Sequence, residues 1–190
     1  MGSQCLNLWG PSNMVTRGKT YHDRKADYRK RVEAYKMKGW TFPEGFVLLQ
    51  DTREQRSPLM TRLPSGLCIQ SCTLKDGDYG IAGMPGFSVE RKQLSDFCSY
   101  CGVERDKTVA KMERFRAMEW VGLIVEVDEK DLLRPQEFSK VSPETLRQAI
   151  NSFEIRYHIH TYFNHDRDAC ARKLLDWAVK YYQVKREARS

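Results

Sequence analysis

Long apolar runs are missing from this chain: none approaches the roughly 20 residues a helix needs to cross a bilayer, so no membrane-spanning helix is expected. Met1 to Gly10 has neither a basic start nor a continuous apolar core, and so does not read as a secretory signal. The expectation is an intracellular protein, cytoplasmic or, in a eukaryote, nuclear. Nothing matches G-x-x-x-x-G-K-[ST], which argues against P-loop chemistry and against a nucleoside triphosphate as a partner. Cysteine is sparse as well: Cys5, Cys68, Cys72, Cys98, Cys101 and Cys170 are too few for a disulfide scaffold in 190 residues and are expected as thiols. The pairs Cys68/Cys72 and Cys98/Cys101 invite a zinc reading. The first pair falls on an expected strand, where a four-residue spacing forms no tight knuckle. The second falls on an expected helical turn, where buried cysteine behaves as a small apolar residue, and that reading is preferred. Glycine also runs out: none follows Gly122.

What is present suffices for one domain with a proper core and a short appendage. The net charge of +7 is spread unevenly. Between Arg17 and Lys38 lie nine basic residues, Lys30 and Arg31 among them, against the three acids Asp23, Asp27 and Glu33. Such an excess suits phosphate contacts, although a solvated helix face explains it about as well. The expected organisation is a non-periodic terminus over 1–16, a basic and partly helical extension over 17–43, and a globular domain over 44–188. Tyr28, Val32 and Tyr35 supply the helical spacing within the extension.

Phe46 to Asp51 reads as a first buried strand, Leu67 to Leu74 as a second, and Tyr79 to Ala82 as a return after the turn Asp76-Gly77-Asp78. Gly83-Met84-Pro85-Gly86 reads as a loop before a strand over Phe87 to Lys92. Thr108 to Met118 has helical spacing, and Val121 to Val127 is apolar enough for a central strand. Ser142-Pro143 opens a helix, with serine as N-cap and proline in the first turn. Tyr157 to Phe163 alternates like a strand, and Asp166 or Asp168 caps a last helix whose stripe runs from Ala171 to Tyr182. The order implies an α/β fold, a mixed central sheet flanked by helices. Trp177, Tyr181, Tyr182 and Val184 suit either its core or a two-fold interface.

The polar residues that invite chemistry sit at strand ends, where such folds place their sites. Glu90 and Lys92 are two apart on one strand and therefore share a face. Asp78 adds a second carboxylate, so that two acids, with the Arg91 carbonyl as a candidate third ligand, are expected to hold Mg²⁺ while an ammonium stands beside it. Mg²⁺ keeps several waters and needs only one or two protein carboxylates. Such an ion polarises a phosphodiester and lowers the pKa of an attacking water, which Lys92 would orient or acidify. Asp51, at the first strand's end, either completes the shell or serves a second ion. Arg91 points to the other side, and Asp96 or Glu54 is its expected partner. His158 and His160 alternate on a strand with His165 beyond, a pattern too unspecific to imply a metal.

Taken in order, Asp51-Thr52-Arg53-Glu54, Gly77-Asp78, Glu90-Arg91-Lys92 and Asp96 resemble the D-x-R-E element and the G-D-x(n)-E-R-K-x(3)-D signature of XPF-type structure-specific endonucleases. The resemblance spans roughly Phe46 to Val184. It implies a restriction-endonuclease-like fold, Mg²⁺ or Mn²⁺ as cofactor, DNA near single-strand/double-strand junctions as substrate, and commonly a dimer. On matching positions it implies Asp51, Asp78, Glu90, Lys92 and Asp96 as active-site residues, supported by Arg53, Glu54 and Arg91. Relatives often append helix–hairpin–helix modules whose tight turns use glycine. With no glycine after Gly122, this sequence is expected to lack them, and the Arg17–Lys38 segment is the candidate substitute. The family also includes catalytically silent DNA-binding or assembly subunits; here no acid of the signature is missing, nor its lysine.

Overall fold

The structure, a computed structural model, describes residues 41–56, 59, 64 and 66–188. The basic segment Arg17–Lys38, with Lys30 and Arg31, lies outside the described residues, as does the expected helix of the extension. Among the described residues there are six strands: β1 (Leu48–Asp51), β2 (Ile69–Cys72), β3 (Tyr79–Ile81), β4 (Met84–Lys92), β5 (Trp120–Val125) and β6 (Ile159–Phe163). They form one sheet in the order β2-β1-β3-β4-β5-β6. β1 is parallel to β2 but antiparallel to β3, β3 is antiparallel to β4, and β4, β5 and β6 run parallel. The expected mixed α/β architecture is the one observed.

Among the described residues five α-helices flank the sheet: α1 (Leu94–Cys101), α2 (Arg105–Arg116), α3 (Glu129–Leu132), α4 (Pro143–Tyr157) and α5 (Arg167–Glu187). Alternation along β5 explains the two layers. Val121, Leu123 and Val125 join Phe97, Met112, Phe115, Leu146 and Phe153 from α1, α2 and α4. Ile124 points the other way, into a second core with Leu48, Tyr79, Val89 and the α5 residues Leu174, Leu175 and Ala178. Each wholly buried leucine in these layers contributes roughly 1.5–3 kcal/mol relative to exposure.

Local chemistry sets the helix ends. Ser142 Oγ accepts from the Thr145 amide at 3.1 Å, with Pro143 directly after the cap. Asp166, rather than Asp168, caps α5 by accepting from the Asp168 amide at 2.9 Å. Cys98 and Cys101 are buried in α1 among apolar neighbours, and burial pushes the Cys101 thiol up to about 12. Tyr182 is buried edge-on to Phe46, with ring centroids 5.4 Å apart, and Trp177 stands against Trp120 at 4.9 Å. These aromatics therefore serve this chain's own packing, while Val184 is exposed. No helix among the described residues is long and apolar enough to cross a membrane.

Element ends differ from expectation at several places, and two of these differences have a backbone cause. β4 begins at Met84, because the turn after β3 needs only Ala82 and Gly83, the latter at φ +72°. Pro85 is tolerated where the β3–β4 register shifts, since the lost amide breaks no regular ladder there. The stretch expected as a strand from Tyr157 opens instead with the end of α4. Tyr157 is one helical turn beyond Phe153 and buried with it, and His158, left-handed at φ +55°, stops the helix before β6.

Candidate active site

Glu90 and Lys92 do share a face of β4. Lys92 Nζ lies 2.6 Å from Glu90 Oε1, while Glu90 is only 1% exposed. The face is turned toward α1 and α2: Lys92 Nζ stands 5.1 Å from the Tyr100 ring centre, and Lys111 Nζ from α2 reaches Glu90 Oε2 at 2.6 Å. Glu90 Oε1 is buried, and the Lys92 ammonium is its partner. Burial works against the Lys92 charge, yet Glu90 and Asp78 outweigh it and raise its pKa. Lys92 is thus an ammonium donor at neutral pH. Burial, reinforced by Glu90 and Asp78, raises the Tyr100 phenol, which stays neutral.

Asp78 is delivered to this face by a turn that only glycine permits. Gly77 has φ +82°, and a Cβ there would lie 2.0 Å from Ser88 Oγ. Main-chain bonds then knit three strand ends around Asp78. Its amide donates to Val89 O at 2.8 Å, its carbonyl accepts from the Asp51 amide at 2.9 Å, and its Oδ2 accepts from the Arg91 amide at 2.7 Å. In an extended strand a residue's amide and carbonyl point to the same edge, so the Arg91 carbonyl is also directed toward Asp78. Burial and the neighbouring Glu90 push the Asp78 carboxyl up to about 7, against the opposing pull of Lys92 and the Arg91 amide. Burial and the neighbouring carboxylate both disfavour the Asp78 anion unless a cation joins it.

Asp51 is buried, and its oxygens are engaged. Oδ1 accepts from the Arg53 amide at 2.8 Å and Arg53 Nε at 2.6 Å; Oδ2 accepts from Arg53 Nη2 at 2.9 Å and the Leu74 amide at 2.7 Å. The Arg53 side-chain bond is the main reason that its pKa lies well below the carboxylate range, burial acting against it. The Asp51 amide bond to Asp78 O places this brace beside the acid pair, whose charges act on Arg53. Asp96 is exposed in the first turn of α1, close enough to add to the field that keeps Lys92 charged.

Arg91 lies on the opposite face. Its Nη1 donates to Glu54 Oε2 at 3.1 Å, which settles its expected partner as Glu54, and its Nε donates to Glu126 Oε1 at 2.7 Å. Glu126 also accepts from Arg167 Nε at 3.1 Å. Burial opposes the Glu126 charge, but the two arginines outweigh it and lower its pKa. Sequence reasoning missed Lys111, Glu126 and the Arg114–Asp76 pair at 2.8 Å. Glu126 follows directly on β5, and its adjacency to an apolar strand end was the one available signal.

Fit to a divalent ion can be judged from these atoms. Among the described residues, no three His, Cys, Asp or Glu side chains form a metal cluster. Asp78, the buried Glu90 Oε1 once Lys92 yields it, and the Arg91 carbonyl nevertheless suit Mg²⁺, which keeps waters and takes few carboxylates. His165 is instead paired with Asp128 at 2.9 Å, and His160 stacks on Trp120 with centroids 5.0 Å apart.

A family model described as the ERCC4 domain matches residues 50–176, well over half of the chain. The chain belongs to the ERCC4-domain family. XPF from Aeropyrum pernix is similar to it in fold, with a TM-score of 0.58 at 24% identity over 72% of this chain and 61% of that one. A second structure, XPF from Aeropyrum pernix in complex with DNA, gives a TM-score of 0.55 at 22% identity over 73% of this chain and 66% of that one. This chain thus spans less than two thirds of each of these two solved chains. No curated protein matches it. The XPF-type resemblance and its nuclease fold therefore hold.

Proposed function

We propose that this ERCC4 domain is a divalent-metal-dependent DNA endonuclease that hydrolyses a phosphodiester at branched or junction DNA. The observation carrying the reading is the buried Glu90 carboxylate beside an Asp78 carboxyl that burial and Glu90 push up to about 7. Asp78 and Glu90 would hold Mg²⁺ or Mn²⁺, with the Arg91 carbonyl as a third donor. When bound, the ion supplies Lewis-acid polarisation of the phosphate and a lowered water pKa.

The chain's own groups do the rest. Lys92, kept protonated, donates to the attacking water or to a phosphate oxygen and offsets charge there. Tyr100 supports the ammonium through its ring, and Asp96 contributes to holding the lysine charged. Asp51 and Arg53 brace the end of β1 against Leu74, and Arg91 ties β4 to Glu54 and Glu126. DNA binding is supported by family membership and by the fold shared with an XPF in complex with DNA. Lys30 and Arg31 are proposed phosphate contacts on sequence grounds, and pairing of two such domains is proposed from the family resemblance.

The test uses labelled duplex, flap and single-stranded DNA, and RNA, each with Mg²⁺, Mn²⁺ or EDTA. Cleavage of branched DNA that EDTA abolishes is expected. Cleavage persisting in EDTA overturns the metal reading. Tight DNA binding without cleavage in either metal points to a catalytically silent subunit.

A further inference from the structure

Both oxygens of Glu90 are already occupied by ammonium groups, and from different parts of the chain. Lys92 Nζ lies 2.6 Å from Oε1, and Lys111 Nζ lies 2.6 Å from Oε2. Any divalent ion that takes this carboxylate must share it with two fixed positive charges or displace one.

The two lysines are not equivalent. Lys92 sits two residues from Glu90 on the same strand and is drawn toward Asp78 and Asp96 as well. It can leave Oε1 for other acceptors on the same face. Lys111 is held from outside the strand, on α2, with its Nζ 5.5 Å from the centre of the Phe115 ring one helical turn away. Phe115 is 1% exposed in the core, so the platform under Lys111 does not move freely.

We propose that Lys111 is a positioning residue that sets the divalent-metal requirement of this site. It fixes the Glu90 carboxylate by holding Oε2, and it weakens the pull of that carboxylate on an ion at Oε1. The inference rests on the reading of Asp78 and Glu90 as metal ligands.

The two effects have opposite signs on removal of the charge. An ammonium a few ångströms from a divalent ion repels it, so deleting that charge favours the ion. A merely structural contact behaves differently: its loss disorders the ligand and weakens binding. A divalent ion also gains more from the released carboxylate charge than the singly charged Lys92 does.

Mn²⁺ binding, read from the free-ion electron paramagnetic resonance signal without DNA, decides the matter. Wild type, Lys111→Met, Lys111→Gln, Lys111→Arg and Glu90→Gln are titrated at one pH and ionic strength, with folding checked by circular dichroism. Lys111→Met and Lys111→Gln are expected to bind Mn²⁺ about tenfold more tightly yet cleave more slowly at saturating metal. Lys111→Arg is expected to keep wild-type affinity. Equal or weaker Mn²⁺ binding by folded Lys111→Gln overturns the role of Lys111 alone, provided Glu90→Gln abolishes the wild-type binding. If wild type shows no Mn²⁺ binding that Glu90→Gln removes, the ligand reading fails and takes this inference with it.

Discussion

The Arg91 amide donates to Asp78 Oδ2 at 2.7 Å and, with the Asp78 amide on Val89 O, ties the Gly-Asp turn to the Glu-Arg-Lys strand. The two halves of the sequence motif thus meet through main chain rather than through two side chains. Arg91 can then send its guanidinium to the opposite face, to Glu54 and Glu126, while its backbone fixes Asp78.

Asp78 should lower the stability of the metal-free protein at alkaline pH. Its folded pKa of about 7 lies above the ordinary 3.8, so the folded state binds the proton more tightly than the unfolded state. Stability from this group is therefore present at low pH and falls as pH rises between those values. Asp78→Asn should be more stable than wild type at pH 8 without metal, on the order of 1–2 kcal/mol, and the gap should narrow at pH 5. Urea unfolding at both pH values checks this.

Asp51 should behave in the opposite sense. Its folded pKa is depressed below the ordinary 3.8, so its stabilisation is present above that value and lost as pH falls through the folded one. Asp51→Asn should cost about 2–3 kcal/mol at pH 7, with the difference from wild type shrinking below pH 4. Denaturant midpoints from pH 7 to 3 report it.

Gly77→Ala combines a left-handed φ of +82° with a Cβ placed 2.0 Å from Ser88 Oγ. A loss of about 2–4 kcal/mol is expected. Adding Ser88→Ala should recover part of it, since the hydroxyl clash goes while the strained φ and Val89 O at 3.3 Å remain. Thermal melts of the single and double variants measure the recovery.

These residues also show what the sequence could and could not reveal. Glu90 and Lys92 were legible because strand alternation is a local rule, and Asp78 because a glycine-aspartate turn is a local signal. The order of strands and helices followed from periodicity in the same way. Lys111 and Glu126 were not legible: each is an ordinary charged residue until the sheet brings it to Glu90 or Arg91, 21 and 35 residues away. The end of α4 was misread because Tyr157, His158 and Ile159 satisfy strand alternation and the helical stripe alike until His158 adopts its left-handed φ. Asp51 was legible as a polar strand end, but its engagement by Arg53 and the Leu74 amide depends on tertiary contact.

Lys30 and Arg31, if they replace an external DNA-gripping module, should act on phosphates without regard to sequence. Charge reversal at both should weaken DNA binding and reduce the slope of log affinity against log salt by about 2. Fluorescence anisotropy with flap DNA from 50 to 300 mM salt reads the slope, and an unchanged slope removes the segment from the interface.

Glu90 is the residue on which the proposed chemistry most directly depends. Glu90→Gln keeps its volume and removes the charge that Lys92, Lys111 and the ion would share. Single-turnover cleavage of flap DNA at saturating Mn²⁺, on a variant whose circular dichroism matches wild type, should fall by roughly a thousandfold or more. Cleavage within about tenfold of wild type would contradict a metal site built on Glu90.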